Sequence, residues 1–232
     1  MTIKQFLSRH VEGYLFKDLR TMMRVKLRKG QKIGGVGYPV VASILAGMEM
    51  LGGILQNGKG FKTTTSTTKF FHYWNNFFIK DSPKYSDYGN AFWKLIRNGV
   101  SHTYLTKTGI WVIRGNSSEH LRIYKDGSDY YLMVDIYEFF TDFVNSYNNQ
   151  VRPIVYKGQA SSLTTPIMMK KRLDEMIRVY KKESNSVLSK IQPQGNAPQS
   201  LPPNFWSAMS NASTVPSGVQ FATYSGTVIK TN

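Results

Sequence analysis

The chain has 232 residues, 41% of them hydrophobic and 13% aromatic, which is enough to bury a core in one domain of ordinary size. Lys and Arg number 30 against 14 acidic residues, and the resulting formal charge of +16 favours a polyanion as partner, nucleic acid or an anionic membrane. Cysteine is absent, excluding disulfides, thiolate nucleophiles and thiolate metal sites. His10, His72 and His120 show no metal-ligand spacing, so neither a metal nor another cofactor is expected.

In chain order, residues 3–28 set Phe6, Val11, Tyr14, Leu15, Leu19, Met22 and Met23 at helical spacing beside Arg9, Lys17, Arg20, Arg24 and Lys26. This is a basic amphipathic helix, read as packing on the domain with its cations towards solvent; lying on a membrane surface is the alternative. Charge interrupts the N-terminal stretch throughout, so no cleavable signal is read there and a cytoplasmic location is the default expectation. Gly34-Gly35-Val36-Gly37 lacks the following Lys-Ser/Thr pair of a phosphate loop and reads as a loop leading into a helix. That helix, with Pro39 in its first turn, is apolar almost all round from Val40 to Leu55, but Glu49 and its glycines argue for a buried core helix over a membrane span. A lone carboxylate in such surroundings needs a partner. Glu49 either pairs with an Arg of the helix near residue 97 or faces the surface.

Residues 62–69 read as a Thr-rich connector and 70–78 as an aromatic, helical and mostly core segment, with nucleobase stacking as the sharper alternative. Asp87 is placed as the cap of the next helix. At 100° per residue that helix puts Phe92, Trp93, Leu95, Ile96 and Val100 on one arc and Arg97, Asn98, Ser101, His102 and Tyr104 on the other, directed away from its core. A β insertion around 109–134 follows: a strand at 110–113, then His120 to Tyr124 and Asp129 to Val134 joined by a Lys125-Asp126-Gly127-Ser128 turn, read as a small antiparallel sheet. Asp135 and Glu138 mark a helix start, and Ile136, Phe139, Phe140, Phe143, Val144 and Tyr147 continue at helical spacing. Residues 168–191 form another basic amphipathic helix. From 192 to 229 no residue is charged, as in a linker or tail, although Val219 to Ile229 is strand-like and could dock, extend a sheet edge or capture a partner. The organisation expected is one domain over 1–191 and a low-complexity or partner-docking tail over 192–232.

The most informative stretch is Arg97-Asn98-Gly99-Val100-Ser101-His102-Thr103-Tyr104. An Arg can grasp a phosphodiester through its two-pronged fork, and a His titrating near neutrality can move a proton. Arg followed by Asn, with His five residues after the Arg and Tyr two beyond that, closely resembles the R-N-x-x-x-H and R-x4-H-x-Y signatures of the HEPN superfamily. The resemblance is most secure over residues 88–105 and looser over 38–150. It implies a mainly α, helical-bundle fold and a metal-independent endoribonuclease of the toxin or antiphage type. It also implies a homodimer that brings two motif copies together, which fits an Arg97 and His102 that diverge by about 140° on an ideal helix. No nucleotidyltransferase signature adjoins the motif, so any antitoxin partner is expected on another chain.

In that chemistry the ribose 2′-hydroxyl attacks the adjacent phosphate. His102 is the candidate acid or base, Arg97 the cation that stabilises the transition state, and Asn98 an orienting amide. Tyr104 contacts substrate, fixes Arg97 or is structural; Ser101 and Glu49 are supporting candidates. Two readings of other classes stand beside this one: a non-catalytic RNA-binding or scaffolding protein, and a membrane-surface or assembly protein using the two ends of the chain.

Overall fold

The computed structural model describes residues 1–26, 36–56, 60–99, 106–190, 221–222 and 228–229. The fold is mainly α with a small β insertion. Contacts divide it into two units, Met1–Glu183 and Ser184–Asn232.

Helix α1 runs through Ile3–Phe6, a π-wound stretch Leu7–Leu15, and Phe16–Arg24. Thr2 and Gln5 cap each other's backbone N–H groups at its start. The helix ends at Arg24, short of the expected residue 28, because Val25 takes an extended conformation. Helix α2, Gly37–Leu55, is long and apolar enough to cross a membrane by composition. It is nevertheless the centre of the core: Val40, Val41, Ile44, Leu45, Met48, Leu51, Ile54 and Leu55 are fully buried.

Helix α3 comprises Ser66–Tyr73, π-wound Trp74–Phe78, and Ile79–Asp81. It starts inside the stretch read as a connector, because the Thr65 hydroxyl accepts from the Thr68 N–H at 3.1 Å and caps it. Its rings are core: Phe70, Tyr73, Trp74, Phe77 and Phe78 are all buried, so the base-stacking alternative for this segment falls. The α2–α3 contact is close because Gly52 lies against the α3 backbone; a Cβ there would sit 1.8 Å from the Lys69 carbonyl oxygen. Helix α4 comprises Gly89–Ala91 and π-wound Phe92–Arg97. Tyr88, not Asp87, occupies its cap position, and the Tyr88 side chain makes no capping hydrogen bond.

The sheet has β1 (Ile110–Ile113), β2 (Ile123–Asp126) and β3 (Asp129–Asp135) in the order β1-β3-β2. The β2–β3 pair is the expected antiparallel hairpin, with Gly127 at φ +59 in its two-residue loop. β1, however, pairs with β3 in parallel, so the sheet is mixed. The reason lies between β1 and β2. A 3-10 turn at Ser117–Glu119 and a left-handed Leu121 (φ 64) reverse the chain before β2 begins at Ile123, so His120 lies outside the strand. Leu121 is held in this strained conformation at both ends: its N–H donates to the Met133 carbonyl at 2.8 Å and its carbonyl accepts from the Tyr88 hydroxyl at 2.9 Å.

Helix α5 comprises Ile136–Ser146, π-wound Tyr147–Val151, and Arg152–Tyr156. Asp135 caps it through the Tyr137 and Glu138 N–H groups. Its Phe139, Phe140, Phe143 and Tyr147 close the core over α1 and α3. Helix α6, Pro166–Leu188, buries Met169, Leu173 and Met176, whereas Ile177, Tyr180, Val187 and Leu188 of the same apolar stripe are exposed. In the second unit, β4 (Phe221–Ala222) pairs antiparallel with β5 (Val228–Ile229).

Candidate functional site

Of the motif residues, Arg97 and Asn98 are described, whereas Ser101, His102 and Tyr104 lie outside the described residues, as does Val100. The chain is pinned beyond that stretch, where the Lys107 N–H donates to the Leu95 carbonyl of α4 at 2.9 Å.

The winding of α4 decides where Arg97 points. The Asn98 N–H donates to the Trp93 carbonyl five residues back, the π pattern, so the 100° spacing of an ideal α-helix does not apply here. Phe92, Trp93 and Ile96 are buried as expected. The Arg97 side chain does not project straight away from the core. It lies over the Trp93 ring, 4.9 Å from the guanidinium carbon to the ring centre, and its Nη2 donates to Glu49 Oε2 of α2 at 2.9 Å. Glu49 thus has a motif-helix arginine as partner. The Asn98 side-chain oxygen stands 3.5 Å from Nη1.

Arg97 keeps 25% of its side-chain exposure and Glu49 18%, so water reaches the pair. A solvated ion pair contributes about 0–1 kcal/mol and a cation–π contact about 0.5–1 kcal/mol at such sites. Both are small beside the aromatic core, so Arg97 can be replaced without unfolding the domain. What the contacts do is hold the guanidinium: a flat ring beneath it and a carboxylate on one prong leave the remaining N–H donors with a set direction.

Lys69 belongs to the same neighbourhood, a residue that no motif or spacing singles out. Burial lowers its pKa, opposed by the nearby carboxylates of Glu49 and Glu175. Its ammonium rests over the Phe61 ring at 3.7 Å. The close approach of α3 at Gly52 brings it there, a packing detail that no motif encodes.

A second polar cluster, also unanticipated, joins the sheet to the helices. The Asp135 N–H donates to His120 Nδ1 at 3.0 Å, which leaves the proton of the neutral ring on Nε2. Nε2 stands 2.7 Å from the Tyr85 hydroxyl, and that hydroxyl donates to Asp142 at 2.9 Å. Lys84 adds an ion pair to Asp142 at 2.8 Å. Burial, then the charge of Lys84, pushes the His120 pKa down to about 4. Burial and the neighbouring carboxylates push the Tyr85 phenol up. Each donor in this chain meets an acceptor, so it acts as a joint that fixes α5 and the β2 approach rather than as an open reactive centre.

Among the described residues, no three His, Asp or Glu side chains gather as metal ligands. Compared with known proteins, the chain matches no family profile, no curated protein and no solved structure.

Proposed function

We propose that the protein is a metal-independent endoribonuclease of HEPN type that works as a homodimer, with the Arg97 region of each subunit contributing to a shared site. The observation that carries the reading is the held guanidinium of Arg97, seated on Trp93 and tied to Glu49 2.9 Å away, within the Arg-Asn-x-x-x-His pattern. An arginine fixed in advance pays no reorganisation when charge builds on a phosphorane-like transition state. In this mechanism the 2′-hydroxyl attacks phosphorus and the 5′-oxygen leaves. His102 moves the proton, Arg97 neutralises the equatorial oxygens and Asn98 orients the phosphate. The products are a 2′,3′-cyclic phosphate and a 5′-hydroxyl. A role as a toxin or antiphage effector in the cytoplasm, with a separate protein restraining it, is the biological setting that the resemblance implies.

One observation favours a second reading, a non-catalytic RNA-binding protein: Glu49 already occupies one prong of Arg97 and competes with phosphate for it. The test is incubation of purified protein with mixed RNA in excess EDTA. Cleavage by the wild type, lost in both Arg97→Ala and His102→Ala, supports the ribonuclease. Salt-sensitive binding of intact RNA, unchanged in His102→Ala, supports the binding protein instead.

A further inference from the structure

Four described arginines sit beside a carboxylate: Arg97 with Glu49, Arg122 with Glu119, Arg152 with Glu12 and Arg172 with Glu175. Arg20, Arg24 and Arg114 form no such pair among the described residues, and all three line one open cleft of about 920 Å³ together with Lys26. No carboxylate is among its described lining residues. Asp18 precedes Arg20 by two positions and so lies about 200° around α1 from it. Asp135, opposite Ile113 in the β1–β3 register, is buried, and its oxygens accept from the Asn116, Tyr137 and Glu138 N–H groups. The cleft therefore gathers cations without a counter-charge.

Neutral groups orient these cations. Because α1 ends at Arg24, its last carbonyls lack helical partners. The Met23 carbonyl accepts from Arg114 Nη2 at 2.8 Å and from the Tyr137 hydroxyl at 3.0 Å, which ties the residue after β1 to the end of α1 and the first turn of α5. The Arg20 guanidinium lies over the Phe140 and Phe16 rings, 5.7 and 6.0 Å from their centres. A planar guanidinium seated on rings keeps its N–H donors at its edge, where an acceptor in the same plane can take two of them. Arg24 is exposed one turn beyond Arg20 on the same helix face, a step of about 5–6 Å between Cβ atoms. Successive phosphates of one strand can match such a step.

We infer that this cleft anchors the phosphodiester backbone of RNA, through phosphates other than the one that reacts near Arg97. Neither Arg97 nor Glu49 is among its described lining residues, so it is a second binding site on the chain. Several arginine forks in one cleft suit a ligand that carries several phosphates. An anionic bilayer also carries them, but a helix lying in it needs an apolar face to insert, and that of α1 is already in the core: Phe16, Leu19 and Met23 are buried. That the strand is RNA rests on the reading of the Arg97 site; that it is a phosphodiester strand does not.

The test uses a dye-labelled 2′-O-methyl oligoribonucleotide of about 12 nucleotides, which cannot be cleaved through its 2′ position, with binding read by anisotropy across a salt series. Arg20→Gln with Arg24→Gln should lower the slope of log affinity against log salt by about 1.4 and weaken binding about tenfold at about 0.15 M salt. Because Arg20 also covers two phenylalanines, Arg24→Gln with Lys26→Gln, both exposed, is a second variant with the same expectation, and circular dichroism checks the fold of each. Arg178→Gln with Lys181→Gln removes the same charge from exposed positions of α6 and should change affinity by about twofold at most. Unaltered affinity and slope in both cleft variants, or an equal loss in the α6 variant, would overturn the proposal. So would binding to phosphatidylserine vesicles that the cleft substitutions abolish while oligonucleotide binding is kept. RNA cleavage by the wild type with unaltered binding in the cleft variants would overturn it and leave the Arg97 reading standing; the expected binding losses without any cleavage would do the reverse.

Discussion

Gly52→Ala tests the packing that brings the candidate site together. The added Cβ would fall 1.8 Å from the Lys69 carbonyl oxygen, 2.8 Å from its carbon and 3.2 Å from the Tyr73 nitrogen. All three are backbone atoms of α3, so no side-chain rotation relieves the clash. Ordinary contact needs on the order of 3.5 Å, and α3 must retreat from α2 by roughly 1.5 Å. Forced overpacking of this kind costs about 1–3 kcal/mol, and a shift this large belongs at the upper end. Alanine returns up to about 1 kcal/mol through its better helix propensity. The net expectation is a loss of about 2 kcal/mol, or about 4–8 °C in Tm for a domain of this size. Gly47→Ala is the control: its Cβ would meet the Leu15 and Phe143 side chains at 2.6 and 3.1 Å, and the flexible Leu15 methyl can move. Thermal melts followed by circular dichroism read both. A Tm for Gly52→Ala equal to or above that of the wild type, or a larger loss for Gly47→Ala, would refute the close helix contact.

Tyr85→Phe should cost about 1–3 kcal/mol, because it leaves the His120 Nε2–H without its acceptor. Tyr73→Phe should cost only about 0.5–1.5 kcal/mol, because Ser146, its 2.8 Å partner, still donates to the Phe143 carbonyl. Denaturant titrations giving equal losses would remove the special role assigned to the His120 joint. The same joint sets a pH dependence. With the folded pKa of His120 pushed down to about 4 by burial, its contribution is fully present above about pH 6.5 and is lost as pH falls from there through about 4, where the unfolded chain binds a proton that the folded one resists. His120→Gln should flatten that decline in unfolding free energy; an unchanged slope would show that other groups cause it.

What could be read from the residues follows from how local the causes are. The Asp126-Gly127 turn, the Asp135 cap and the all-round apolar α2 each depend on neighbouring residues or on a single period, and each is where the sequence places it. The need of Glu49 for a partner follows from desolvation, and Arg97 meets it. Other features depend on chain reversals and packing that no pattern states. The parallel pairing of β1 goes with a chain reversal that contains a left-handed leucine, a residue type that rarely adopts that conformation. The π turn in α4 changes where Arg97 points without any marker in the sequence. Lys69 comes near Glu49 because one glycine admits a neighbouring backbone.

The central claim is metal-free transesterification that depends on Arg97. The most direct measurement incubates the protein, in excess EDTA, with an all-ribose oligonucleotide and with the same strand carrying a single 2′-deoxy residue at the mapped cleavage position, and then determines the product ends. The expected result is cleavage of the first strand to a 2′,3′-cyclic phosphate and a 5′-hydroxyl by the wild type but not by Arg97→Ala, with the deoxy position left intact. Cleavage at the deoxy position, or cleavage of the ribose strand by Arg97→Ala at the wild-type rate, would contradict it.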